Sequence, residues 1–116
     1  MTSNHKGRRA ETVRLQNVST TNPAQLWLAG LAPAGRKGMQ SQLRRCAGIL
    51  LPGSDIDSYP WQMLNYTGVM LVRSALLNEG YAVATVNMAL SALKSVAGVA
   101  FSMGILDADM LERIRN

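Results

Sequence analysis

A chain of 116 residues can bury one hydrophobic core of its own but not two comfortable ones. Lys and Arg total 12 against 7 Asp and Glu, a formal net charge of +5 that favours an anionic partner, nucleic acid or a charged surface, without deciding between them. The single cysteine, Cys46, excludes an internal disulfide, and nothing stands near it at metal-ligand spacing, so a reducing compartment is the natural one.

Residues 1–21 carry Lys6, Arg8, Arg9 and Arg14 against Glu11 alone, with Ser, Thr, Asn and Gly between them. Such a segment cannot bury enough surface to offset its ordering entropy, so a flexible basic arm is expected ahead of a folded domain at 22–116. The arm can track phosphates or be no more than a disordered terminus. The lone His5 has no partner there and receives no role. No apolar segment follows this start, so a secretory leader is not expected, and no apolar run approaches the roughly 20 residues a membrane span needs. A cytoplasmic protein without a membrane partner is expected.

Asn22-Pro23 reads as a helix start, with Asn22 as cap and Pro23 at the first turn, where its missing amide costs nothing. The helix should run to about residue 31 with Leu26, Trp27 and Leu31 inward. Pro33 restarts the chain into a second helix reaching residue 50 or 51, where Pro52-Gly53 stops it. Its inward stripe is Met39, Leu43, Cys46, Ala47 and Leu50, which makes Cys46 an inert buried thiol. Arg36, Lys37, Gln40, Ser41 and Arg44 share the outward face, with Arg45 at its margin. No acidic residue occurs between Glu11 and Asp55, so these cations lack an intrahelical partner and repel one another by some tenths of a kcal/mol. Phosphates would relieve that repulsion; a merely solvated basic face is the competing reading.

Turn residues make 51–60 a loop, and Trp61 and Leu64 are apolar anchors after it. Asn65 caps a third helix over 66–78 with Val69, Val72 and Leu76 inward, joined by Leu71 and Leu77, and Gly80 is its left-handed terminator. Residues 82–103 form the fourth and longest helix, around which the rest is arranged. Val86, Leu90, Leu93, Ala97 and Ala100 make its apolar stripe, with Phe101 at the edge. The opposite face holds Asn87, Ser91, Lys94, Ser95 and Ser102, and no carboxylate occurs from 82 to 106. A face that is uncharged to positive suits a polyanion, whereas an ordinary surface helix poor in charge is the plain alternative. Gly104 ends the helix and Asp107 caps a short closing one through Arg115. The fold expected is all-α: a single small bundle of four main helices plus a short C-terminal one.

The run Gly80-Tyr81-Ala82-Val83-Ala84-Thr85-Val86-Asn87-Met88-Ala89-Leu90-Ser91-Ala92-Leu93-Lys94 resembles the last long helix of the core-binding domain of tyrosine recombinases, the phage integrase family. There a small residue and Thr open the helix, Asn follows two positions later, and a Leu-Ser-Ala-Leu-basic run completes the signature. Met88 stands where that family often has Arg. The likeness extends over about 22–115, through Trp61, Leu64, Tyr66 and the exits at Glu79-Gly80-Tyr81 and Gly104-Ile105-Leu106. It implies an orthogonal, SAM-like bundle that grips duplex DNA in site-specific recombination and integration. It also implies partners: the catalytic domain of a longer protein, absent from this chain, and neighbouring recombinase protomers. In such a grip Arg36, Lys37, Arg44 and Lys94 reach phosphates and Asn87 and Ser91 approach base edges, with Gln40, Ser41, Arg45 and Thr85 beside them.

Chemistry of its own is not expected. Arg, His and Tyr do not recur at the family's catalytic spacings, and there is no Gly-rich phosphate loop, no paired carboxylates and no Cys/His set for zinc, so no cofactor or metal is implied. Two other classes stay open: a helical protein-interaction module whose basic faces are incidental, and a helix-turn-helix regulator, which the candidate junctions suit poorly.

Overall fold

A computed structural model describes residues 21–116; the expected basic arm, but for Thr21, lies outside the described residues. Five helices and no strand occur there: α1 Pro23–Ala29, α2 Pro33–Leu50, α3 Tyr66–Asn78, α4 Val83–Ser102 and α5 Ala108–Arg115, with a 3-10 turn at Trp61–Met63 between α2 and α3. The all-helical expectation holds.

Local chemistry sets the ends of these helices. Asn22 Oδ1 accepts from the amides of Ala24 (2.9 Å) and Gln25 (3.1 Å), Asn65 Oδ1 from that of Gly68 (2.7 Å), and Asp107 Oδ1 from that of Met110 (2.8 Å). Each satisfies amides that a first turn leaves without a helical partner. At the far ends of α3 and α4 the same device appears twice. Gly80 (φ 86°) donates to the Leu77 carbonyl while Tyr81 donates to that of Leu76; Gly104 (φ 77°) donates to Phe101 while Ile105 donates to Ala100. Both are paired six-to-one and five-to-two closures that need a left-handed residue, which only glycine adopts at no steric cost.

α4 packs against each of the other four helices. Val86, Ala89, Ala92, Leu93, Val96, Ala97 and Ala100 are buried along it, so the buried sector is wider than the single stripe read from the sequence, and Leu90 lies at its edge, half-buried. Small residues at 89, 92, 97 and 100 let neighbouring backbones approach on several sides. By length and apolar content this 20-residue helix could cross a membrane, which corrects the expectation that no segment comes near that size. Its buried sector is the centre of the bundle, while Val83, Met88 and Phe101 stay exposed.

Several inward assignments change, and in α2 Met39 and Leu50 are half-buried at the edge of the core. In α1 the buried side chain is Leu28, with Ala24 and Pro23, while Leu26, Trp27 and Leu31 are half-buried. In α3 Leu71 and Leu77 are exposed, because only the face of Val69, Val72 and Leu76 meets the bundle. The loop at 51–60 contributes core of its own: Ile56 and Tyr59 are buried with Trp61 and Leu64, and the Tyr59 and Trp61 rings meet edge to face at 4.8 Å. The carbonyl of Ile56 accepts from Trp61 Nε1 (2.8 Å) and Asn22 Nδ2 (3.0 Å), so one cap residue ties α1 to the loop.

Candidate nucleic-acid interface

α2 and α4 pack against each other along a seam. Gln42 is buried at this seam, its amide 3.7 Å from Met88 Sδ and its Oε1 accepting from Arg45 Nη1 at 2.9 Å. The Arg45 guanidinium in turn lies 4.7 Å from the centre of the Tyr81 ring, just ahead of α4. Arg45 is thus half-buried, held by a cation–π contact and an amide carbonyl, and forms part of the seam rather than a free arm. Sequence reading left Gln42 on neither face. Its position three residues after Met39 and four before Cys46 places it beside the apolar stripe, which was the available signal.

The cations of α2 divide by geometry. Arg36 is seven residues before Leu43 and so shares its side of the helix, not that of Lys37. It is exposed because the core does not reach the first turns of α2, where every residue from 33 to 38 is exposed. Its Nη2 donates to the carbonyls of Leu31 (2.8 Å) and Ala29 (3.4 Å), satisfying groups that the end of α1 leaves open. The expected grouping of Arg36 with the outward face is corrected accordingly. Lys37, Ser41 and Arg44 are exposed on the face turned from the core, with Gln40 half-buried beside them. Arg44 Nε is 3.5 Å from Asp55 Oδ1, so one of these cations, without a partner inside its helix, finds one in the 51–60 loop. Both side chains of that pair are more than half exposed, and such a bridge is worth roughly 0–1 kcal/mol.

On α4, Asn87 and Ser91 are exposed and Lys94 is half-buried, spaced by four and three residues along one outward line. Thr85 falls elsewhere. Two residues before Asn87, it is half-buried on roughly the opposite side, at the border of the Ala92 and Val96 surface. The same outward line continues through Gly98 to Ser102, whose hydroxyl donates to the Gly98 carbonyl at 3.1 Å. Over Gly98 lies the Arg115 guanidinium of α5, its Nη2 only 2.6 Å from where a Cβ would stand.

Neither α2 nor α4 contains an Asp or Glu. The carboxylates among the described residues are Asp55 and Asp57 in the loop, Glu79 after α3, and Asp107, Asp109 and Glu112 at and within α5. No three His, Cys, Asp or Glu side chains converge as a metal-binding group among the described residues. Cys46 is no nucleophile in waiting: burial pushes its thiol up to about 12, against an opposing pull from the neighbouring Arg45 charge. No family model, curated protein or solved structure matches the chain.

Proposed function

We propose that this chain is a duplex-DNA-binding helical domain whose contact surface is built from the outward faces of α2 and α4. The observation that carries the reading is the segregation of charge: two exposed helix faces bearing Lys37, Arg44 and Lys94 contain no carboxylate, while the acidic groups lie on other elements. Lys37 and Lys94 make no ion pair within the described residues. Arg44 exchanges a weak exposed bridge for a phosphate at little cost. The carbonyl contacts of Arg36 leave its charge unneutralised, so it adds to the same field. Cations would supply affinity through counterion release, and Asn87 and Ser91, short and uncharged on the outward line of α4, are the groups suited to base edges.

The resemblance of residues 80–94 to the core-binding helix of tyrosine recombinases supports a more specific version: the non-catalytic DNA-gripping part of a recombinase or integrase, working with a catalytic domain and with other protomers. A second reading has its own observation. Leu50, Leu51, Tyr59, Pro60, Met63 and Leu71 line a groove of about 220 Å³, and Leu51, Met63 and Leu71 are exposed there, a surface suited to a protein partner.

Substitution and duplex binding test the DNA reading. Lys94→Ala and Lys37→Ala should weaken binding alike on all sequences, Asn87→Ala should change the preference between sequences, and Asp55→Asn, which frees Arg44 and removes a negative charge beside it, should tighten binding. Indifference of duplex affinity to all four changes contradicts the proposed surface.

A further inference from the structure

We infer that Arg115 is a phosphate-binding residue of the α4 surface, seated there by Gly98. This rests on the duplex-DNA reading above and extends it to an element, α5, that holds Asp109 and Glu112 and is capped by Asp107.

Three observations converge. First, Gly98 continues the outward line of Asn87, Ser91 and Lys94, standing four residues after Lys94 and about 6 Å further along the axis. Second, the guanidinium of Arg115 occupies the space that any side chain at 98 would need, with Nη2 at 2.6 Å and Cζ at 3.7 Å from an added Cβ. Apart from the helix's own neighbouring turn, nothing else among the described residues lies within 4 Å of that point, so the glycine makes room for this one cation. Third, Arg115 lacks a carboxylate within bridging distance among the described residues, whereas Arg113, two positions earlier on the same helix, is held by Asp109 at 3.1 Å.

The surroundings suit a phosphate. The guanidinium borders a wide, shallow depression lined by Leu26, Ser95, Val99, Ser102 and Met103, where two hydroxyls flank an apolar floor. A planar guanidinium beside such a floor can present two parallel N–H donors to a phosphate in bidentate fashion. Sequence spacing could not have found this residue, because Arg115 and Gly98 belong to different helices.

The test is the salt dependence of duplex binding for the wild type, Arg115→Ala, Gly98→Ala and Arg113→Ala. Arg115→Ala should weaken binding on every sequence and make the slope of log affinity against log salt shallower by about 0.9. Gly98→Ala keeps the net charge and a folded helix, checked by an unchanged or raised Tm, yet should weaken binding by displacing the guanidinium. Arg113→Ala should leave the slope as it is. If the wild type and Lys94→Ala behave as the DNA reading requires while Arg115→Ala keeps the full slope, the role of Arg115 is overturned and that reading stands. If Arg115→Ala loses slope but Gly98→Ala binds like the wild type, the seat is overturned. If the wild type binds no duplex, both fall.

Discussion

Asn22 does two jobs with one side chain, and only one of them follows from its place before a helix. Its oxygen caps α1 while its amide nitrogen donates to the Ile56 carbonyl, which also accepts from Trp61. Asn22→Ala should therefore cost about 1–3 kcal/mol in urea unfolding, more than a cap alone, because a buried carbonyl loses a donor as well. Asn22→Asp should recover little of that, since it restores the cap acceptor but sets a carboxylate against a carbonyl. Full recovery would show that the loop contact contributes nothing. Cys46 gives a second residue-scale test, with a sign fixed by burial. Its thiol is raised from 9.0 to about 12 in the folded chain, so stability from the neutral thiol is complete below pH 9 and is lost as the pH climbs from 9 towards 12. Over that window the wild type should lose stability faster than Cys46→Ala, by up to about 1.4 kcal/mol per pH unit. Tyr59, also raised by burial, titrates in both proteins and leaves the difference between them intact. Parallel pH curves would contradict a buried neutral thiol.

Among the elements, α3 and α4 close with the same glycine geometry, and α2 carries glycines with no such duty. Gly80→Ala and Gly104→Ala place a Cβ in the left-handed region and should each cost about 1–2 kcal/mol. Gly38→Ala, in an exposed turn of α2 with nothing within 4 Å, should stabilise by up to about 1 kcal/mol. Comparable losses at all three positions would refute the distinction. These terminators and the caps at Asn22, Asn65 and Asp107 were legible in the sequence, because they depend on a residue and its next four neighbours. Side assignments were less so. α3 is apolar at Met70, Leu71 and Leu77 as well as at Val69, Val72 and Leu76, and periodicity cannot choose among faces when three are apolar; packing against the bundle chooses. Arg36 was misplaced for a related reason: its side of α2 is the core side, but the core ends before reaching it. The Arg44–Asp55 bridge was hidden because the loop folds back along α2, a long-range event no local pattern encodes.

For the molecule as a whole, the claim that matters is that two carboxylate-free helix faces turn a small, basic bundle into a surface for a polyanion. The absence of acids from α2 and α4 was plain in the letters; which cations remain free was not, since that depends on partners from α1, the 51–60 loop and Tyr81. Of the cations on α2 and α4, Lys37 and Lys94 are the two with neither an ion pair nor a side-chain hydrogen bond among the described residues, which makes them the sharper probes. The most direct test is equilibrium titration of the whole chain onto a labelled duplex between low and physiological salt. Binding should weaken steeply as salt rises, with log affinity falling by about 0.9 per log unit of salt for each phosphate neutralised, and Lys37→Ala with Lys94→Ala should together lower that slope by about 2. Absence of duplex binding at low salt, or an affinity that does not change with salt, would contradict the account.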